Sequence, residues 1–249
     1  MCMTEVEPRR QCVILMGGKG TRMLPMTESL PKSLLPVAGQ PFIDHQLTWL
    51  ASEGITDVVL SIGYLGQLIR EHVGDGCRWG LRVEYVDEGE QLRGTGGALR
   101  LACSRQILDP FFAVLYGDSF LRLSIRSLWD RFVQSGMPAL MTVLRNRDQW
   151  DRSNIIYDNG RVVLYDKNAR NPKPASMLYV DYGISLVTRN LIEQNIPEHG
   201  PTDLGQLFNQ ISLQGLLAGF EVFERFYEIG SPEGLRDFEV YLRTKEHAQ

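Results

Sequence analysis

The chain has 249 residues, a hydrophobic content of 43% and a formal net charge of -4. It is therefore large and apolar enough to bury a sizeable core, and its acidic balance and scattered basic residues argue against a nucleic-acid partner. No apolar run approaches a membrane span, and the N-terminal segment lacks the apolar middle of a secretory signal. The cysteines and histidines are dispersed, without the spacing of a zinc site. These features predict a cytoplasmic protein that binds no membrane.

The first candidate site lies in residues 12–36, CVILMGGKGTRMLPMTESLPKSLLP. Its apolar start, residues 12–16, predicts a buried strand. The glycines that follow leave backbone N–H groups free to close around an anion; they are Gly17, Gly18 and Gly20. Arg22 and Lys32 add two cations. This combination predicts a nucleoside triphosphate site, although glycine loops alone are common.

Predicted strands and helices alternate through the first half of the chain. Apolar periodicity predicts helices at 42–53, 65–73, 96–103 and 125–132, and β-rich runs predict strands at 58–62, 81–86, 111–116 and 139–144. This order is typical of βαβ units and predicts an α/β fold with a mostly parallel sheet and helices on both faces. Loops at the carboxyl ends of such strands meet, so we expect the glycine loop to lie near Asp118, which follows the strand 111–116.

The second half of the chain has a different pattern. The β-rich runs 154–158 and 161–166 are joined by Asn159-Gly160, which predicts a hairpin. We expect the sheet to acquire antiparallel strands here, which gives a mostly parallel mixed sheet with a small antiparallel hairpin lobe. The prolines in 171–174 predict an exposed connection to a strand at 177–187. The remaining predicted elements are helices at 191–195 and at 203–212 with Thr202 as N-cap, a strand at 226–229, and a last helix that begins at Ser231-Pro232.

Several segments in this order resemble the sugar-1-phosphate nucleotidyltransferases. They are GGKGTRMLPMTESLPKSLLPVAGQPFIDHQL at 17–47, GTGGAL at 94–99, YGDSF at 116–120, YDK at 165–167 and YEIGSPEGL at 227–235. The GTGGA element and the short length are most similar to the bacterial heptose-1-phosphate guanylyltransferases. The resemblance implies a Rossmann-like three-layer sandwich formed by one domain over 1–249, with an NTP-binding half over about 11–145 and a sugar-phosphate-binding half over about 146–249.

The resemblance also implies a reaction and its partners. A nucleotidyl group would pass from an NTP to a sugar 1-phosphate with release of pyrophosphate, and Mg²⁺ would be the cofactor. GTP with a heptose or hexose 1-phosphate is the favoured pair, and UTP, dTTP and CTP are the alternatives. A homo-oligomer is compatible with the sequence.

For the nucleotide half, the resemblance implies catalytic roles for three residues. Arg22 would contact the departing phosphates, Lys32 would lie near the reacting phosphate, and Asp118 would share Mg²⁺ with phosphate oxygens. A lone Asp after a strand is more often a cap or turn residue, so its setting in YGDSF carries the assignment. The other expected nucleotide contacts are Met16, Gly17, Gly18, Gly20, Thr21, Thr95 and Gly96, with Glu90 or Gln91 at the base edge.

For the sugar half, the resemblance implies that Asp166 accepts sugar hydroxyls and Lys167 binds the sugar phosphate. The family usually has Glu at the position of Asp166. It often has an Asn-Gly-Gly run where this chain has VDYG at 180–183. We expect this run to line the sugar pocket through Asp181, Tyr182 and Gly183, and a core position is the alternative for Tyr182.

The second metal ligand of the family corresponds to Glu228, where Asp is common. The longer side chain shifts the carboxylate, and Mg²⁺ tolerates distorted geometry poorly. The alternative role for Glu228 is to orient a loop. This departure motivates a function of another class, a catalytically weak nucleotide-sugar sensing protein. An NAD-dependent oxidoreductase is disfavoured because GGKGTR does not match GxGxxG.

Overall fold

The computed structural model describes residues 9–89, 91–169 and 172–246. In the first half of the chain it contains the predicted alternation of strands and helices. The strands are β1 Gln11–Leu15, β2 Pro36–Val37, β3 Gln40–Pro41, β4 Asp57–Ile62, β5 Arg82–Asp87, β6 Phe111–Tyr116 and β7 Ser119–Phe120. The helices are α1 Phe42–Ser52, α2 Gly66–Val73, α3 Gly94–Ser104 and α4 Ile125–Ser135.

The second half adds the predicted hairpin and three further helices. Its elements are β8 Ala139–Arg145, β9 Ile155–Asp158, β10 Arg161–Tyr165, β11 Tyr179–Thr188, α5 Arg189–Asn195, α6 Leu204–Leu213, β12 Leu217–Val222, β13 Tyr227–Glu228 and α7 Pro232–Glu246. Asn159 and Gly160 have φ of 45° and 80°, as a tight hairpin turn requires. The hairpin prediction is therefore confirmed.

One helix cap differs from the prediction. Asp203, and not Thr202, is the N-cap of α6, because its Oδ1 accepts the N–H of Gly205 at 2.8 Å. Both residue types are good caps, so the local sequence does not decide between them. Thr202 instead forms backbone hydrogen bonds to residues at the start of α3.

The main sheet has the strand order β5-β4-β1-β6-β11-β8-β12-β10-β9. The first four strands pair in parallel, as do β8 and β12, whereas β11 is antiparallel to both of its neighbours, β6 and β8. The β9–β10 hairpin closes the far edge, with β10 antiparallel to β12. The predicted α/β fold with a mixed sheet is confirmed. Of the eight neighbouring strand pairs in this described sheet, four are parallel and four antiparallel, so parallel pairing predominates only in the part formed by the first half of the chain.

Helices cover both faces of this sheet. Cys12 and Ile14 of β1 face a core shared with α1, α2 and α4, while Val13 faces a core shared with α3, α5 and α6. All three side chains are fully buried, and full burial of a Val or Ile side chain stabilises a fold by about 1.5–3 kcal/mol. Within the described ranges, no helix combines the length and apolar character needed to cross a membrane.

Candidate active site

The carboxyl ends of β1 and β6 lie side by side, because Leu15 pairs with Tyr116. A cavity of about 230 Å³ opens beside these two strand ends. It brings together several residues predicted from separate segments of the chain: Met16, Gly17, Gly18, Gly20, Lys32, Thr95 and Asp118. The expected convergence of the glycine loop with Asp118 is therefore present in the fold.

The glycine loop turns away from the sheet along one side of this cavity. Gly20 has a φ of 61°, in the left-handed region that favours glycine, and its carbonyl accepts the Thr27 hydroxyl at 2.9 Å. A Cβ at Gly18 would meet no atom within 4 Å. The loop continues into a single 3₁₀ turn, Thr21–Met23, on which Thr21 and Arg22 are exposed.

Lys32 and Asp118 form an ion pair inside the cavity. Lys32 Nζ lies 2.5 Å from Asp118 Oδ2, and the two side chains are only 21% and 20% exposed. This partial burial makes the pair stronger than a surface ion pair, because water and salt screen it less. The ion pair therefore holds the Lys32 ammonium group at a defined place in the cavity.

The turn that carries Asp118 is held from three directions. Gly117 donates its N–H to Leu15 O at 2.9 Å, and Asp118 O accepts the N–H of Ile229 at 2.9 Å. From α1, the fully buried Gln46 donates from Nε2 to the carbonyls on either side, Tyr116 O at 3.0 Å and Ser119 O at 2.8 Å. Gln46 was not among the predicted site residues, because its position in a helical pattern gives no signal of this role.

Glu228 reaches the same place from the C-terminal part of the chain. The short strand β13 pairs with β7 so that Glu228 lies opposite Ser119. A Cβ built on Gly230 would lie 3.4 Å from Asp118 Oδ2, 3.5 Å from an Arg22 guanidinium nitrogen and 3.7 Å from Glu228 Cδ. The fold thus gathers both predicted metal carboxylates and the predicted catalytic arginine around one point.

The two carboxylates repel each other. Burial raises the pKa of Glu228, and the negative charges of Asp118 and Asp151 raise it further, while Arg22 and Lys32 oppose the shift. A cation between the carboxylates would relieve this repulsion.

Oxygen ligands with room for phosphates are what Mg²⁺ takes in nucleotide sites, and Asp118 and Glu228 fit that requirement. No cluster of three or more His, Cys, Asp or Glu side chains that could hold a metal occurs in the described part of the chain.

Glu88 is a further cavity residue and was not among the predicted site residues. It follows β5, its Oε2 accepts the N–H of Arg93 at 3.1 Å, and its Oε1 accepts the Ser61 hydroxyl at 3.3 Å. Burial raises the pKa of the Glu88 carboxyl. Its place just after a parallel strand, like that of Asp118, is the signal that could have identified it. Of the two residues predicted at the base edge, Glu90 lies outside the described residues and Gln91 is exposed.

The GTGG segment forms the start of α3. Thr95 lines the cavity, but Gly96 does not. Gly96 and Gly97 donate their N–H groups to Thr202 O at 2.8 and 3.2 Å, and a Cβ on Gly96 would lie 3.1 Å from that oxygen. Contact with the protein's own backbone therefore accounts for glycine at position 96, which was predicted as a nucleotide contact.

Polar residues of the sugar half lie beyond Thr95. Lys167 Nζ lies 2.9 Å from Asp203 Oδ2, and Asp181 Oδ1 accepts the N–H of Gly183 at 2.9 Å. Burial raises the pKa of Asp181 to about 6, against the opposing effects of that hydrogen bond and of Lys167. Burial also raises the pKa of Asp203, but hydrogen bonds from Lys167 and Gly205 outweigh it and leave that pKa below its usual range.

The remaining predicted sugar contacts are Asp166, Gly183 and Tyr182. Asp166 follows β10 and accepts the N–H of Asn168 at 3.0 Å, so it shapes its own turn. Gly183 has a φ of 111°, a backbone conformation that favours glycine. Tyr182, in contrast, is fully buried, and its hydroxyl accepts the N–H of Arg122 at 3.1 Å and donates to the carbonyl of the same residue at 3.3 Å. Its assignment to the sugar pocket is wrong, because successive side chains of a strand point to opposite faces and that of Tyr182 enters the core.

The chain is similar to proteins of known family. The model of the nucleotidyl transferase family matches residues 11–153. A mannose-1-phosphate guanylyltransferase from Mycobacterium tuberculosis is 47% identical over 187 residues, which are 75% of this chain and 50% of the relative. This chain thus spans about half the length of that relative.

Two further proteins are similar over nearly the whole chain. The D-glycero-alpha-D-manno-heptose 1-phosphate guanylyltransferase of Aneurinibacillus thermoaerophilus is 25% identical over 235 residues, 94% of this chain and 98% of the relative. The crystal structure of HddC from Yersinia pseudotuberculosis complexed with GMP-PN superposes with a TM-score of 0.72 at 23% identity, covering 92% of this chain and 97% of that chain.

Proposed function

This chain belongs to the nucleotidyl transferase family, and on that basis we propose that it transfers a nucleotidyl group from an NTP to a sugar 1-phosphate and releases pyrophosphate. The observation that carries the proposal is the convergence of the glycine loop, the Lys32–Asp118 ion pair and Glu228 at one end of the sheet. Cations and carboxylates in this arrangement suit phosphoryl-type transfer, where charge neutralisation and alignment supply the catalysis.

In the proposed reaction, an oxygen of the sugar phosphate attacks the α-phosphorus in line with the departing pyrophosphate. The glycine loop and Arg22 bind the triphosphate, and Lys32 neutralises charge at the reacting phosphate. Asp118 and Glu228 would hold Mg²⁺, which would neutralise charge on the phosphate oxygens. The attacking oxygen is already ionised near neutral pH, so no side chain has to remove a proton from it.

The acceptor is proposed to bind on the side of Lys167. Its ammonium group would bind the sugar phosphate, and the carboxylates of Asp166 and Asp181 would accept sugar hydroxyls. Asp181 and Lys167 lie close enough for the lysine to lower the pKa of the acid. A phosphate entering from this side would approach the nucleotide cavity along Thr95.

We propose guanine as the base, because of Glu88. The N1–H and the exocyclic amino group of guanine are adjacent donors that match the two oxygens of a carboxylate, whereas uracil and thymine offer a single N–H on that edge. The guanylyltransferase relatives agree with this proposal. They also favour a hexose or heptose 1-phosphate as the acceptor.

Replacing Glu88 with Gln is expected to lower kcat/KM for GTP by about 10- to 100-fold, since a hydrogen bond to a charged group contributes about 1.5–3 kcal/mol. Activity with UTP or dTTP should fall less. Steady-state kinetics with each NTP would measure this change in preference, and Glu84→Gln, within β5 and outside the cavity lining, is the matched control. An equal loss with every NTP would assign Glu88 to loop structure and not to the base.

The proposed reaction itself is tested by pyrophosphate release. GTP, UTP, dTTP and CTP would each be combined with mannose, glucose and heptose 1-phosphates in the presence of Mg²⁺. We expect release to be fastest with GTP and a mannose or heptose 1-phosphate. Absence of release from every pair, together with nucleotide-sugar binding in calorimetry, would instead support the sensing function that the Glu228 departure suggests.

A further inference from the structure

The starts of α3 and α6 are joined backbone to backbone. Thr202 donates its N–H to Arg93 O at 2.9 Å, and its own carbonyl accepts the N–H groups of Gly96 and Gly97. A Cβ on Gly94 would lie 2.6 Å from Thr202 O. The glycines of the GTGG segment therefore allow a close contact between the nucleotide half and the acceptor half of the chain.

Side chains extend this contact toward both proposed substrates. Thr95, which lines the nucleotide cavity, accepts the N–H of Leu204 at 2.8 Å and donates its hydroxyl to Asp203 Oδ1 at 3.3 Å. Asp203 Oδ1 also accepts the N–H of Gly205 at 2.8 Å, while Oδ2 accepts Lys167 Nζ at 2.9 Å. One carboxylate thus links a residue of the nucleotide cavity to the lysine of the acceptor side.

We propose that Asp203 is a positioning residue that holds Lys167 at a fixed place relative to the bound nucleotide. The inference rests on the proposed function, because it takes Lys167 as the residue that binds the acceptor phosphate. The Lys167 side chain is 53% exposed, and a lysine on a flexible four-carbon stem samples many rotamers unless it has a partner. Asp203 restricts it before the acceptor arrives, which favours the in-line geometry of the reaction.

Asp203→Asn isolates this role. Asparagine is an equally good N-cap, and it retains an oxygen for Thr95 and Gly205, but it loses the charge that holds Lys167. We expect KM for the sugar 1-phosphate to rise about three- to fivefold, the range typical of a half-exposed ion pair. KM for GTP and the thermal midpoint should stay unchanged. Glu239→Gln, which removes the Arg243 ion pair of the same 2.9 Å length on α7, is the control and should alter neither KM.

A double variant decides whether Asp203 acts through Lys167. If it does, adding Asp203→Asn to Lys167→Met will not raise the acceptor KM beyond that of Lys167→Met alone. Additive effects, or equal rises in both KM values of Asp203→Asn, would overturn the proposal.

A crystal structure can test the positioning role of Asp203 even if the proposed function fails. If the unaltered protein turned over no substrate pair, the proposed function would fail, and the crystal structure of the Asp203→Asn variant would then test the positioning role. A changed Lys167 rotamer would support that role, and an unchanged rotamer would overturn it.

Discussion

Asp118→Asn is expected to lower kcat for nucleotidyl transfer by about 10³-fold or more while leaving the fold intact. Asparagine matches aspartate in size. The hydrogen bonds that hold this turn, from the Ile229 N–H and from the Gln46 side chain, are accepted by backbone carbonyls and do not involve the Asp118 side chain. The charge is lost, however, and with it the ion pair to Lys32 and one of the two proposed metal ligands. Removal of a single group that stabilises transition-state charge typically costs about 10²–10³ in kcat, and loss of a metal ligand adds to that cost.

Pyrophosphate release under saturating substrates measures this effect, and circular dichroism with a thermal scan reports on the fold. Asp130→Asn, at an exposed position on α4, is the control for removing an acidic charge elsewhere. If Asp118→Asn kept more than about a tenth of the original kcat with Mg²⁺, a loss of less than ~1.4 kcal/mol in transition-state stabilisation, the role assigned to Asp118 would be wrong.

Gly94→Ala is expected to destabilise the protein by about 2–4 kcal/mol. Gly94 has a φ of 69°, a conformation that costs an L-residue about 1–2 kcal/mol. The new methyl group would also lie 2.6 Å from the carbonyl oxygen of Thr202. That carbonyl cannot move away easily, because it accepts the N–H groups of Gly96 and Gly97. For a chain of this size, we expect the thermal midpoint to fall by about 5–15 °C.

Gly80→Ala separates the two contributions to this loss. Gly80 has a φ of 71°, but a Cβ there would meet no atom within 4 Å. Gly80→Ala should therefore lower the free energy of unfolding by the conformational cost alone, about 1–2 kcal/mol. Equal shifts of the thermal midpoint for the two variants would mean that the contact at Thr202 yields easily, and that glycine at position 94 reflects backbone conformation only.

Much of the fold could be predicted from local patterns. β1 is apolar after Gln11 and β6 is apolar throughout, and glycines end α2 and α4, so periodicity and breakers located these elements. β12 was not predicted, because its sequence LAGFEV contains Gly219 and Glu221, which weaken the strand signal. Gly219 is required there by the Tyr157 ring, which a Cβ would contact at 2.5 Å. That reason exists only in the folded chain.

The site shows the same division between local and long-range information. The glycine loop and Asp118 follow apolar strands, so their convergence could be predicted from strand order alone. The roles of Gln46 and Asp203 depend on partners that are far away in the sequence. The two carbonyls that Gln46 binds are 70 and 73 residues from it, and Thr95 is 108 residues from Asp203. No pattern within a single segment carries that information.

The position of β11 has a consequence for fragments of this chain. β6 does not pair with β8, because β11 lies between them and joins the two parts of the sheet. A polypeptide that stopped at residue 153, where the match to the family ends, would leave the open edges of β6 and β8 without this partner. Unpaired apolar edges recruit strands from other molecules, so a nascent chain would stay prone to self-association until Tyr179–Thr188 had been synthesised and inserted.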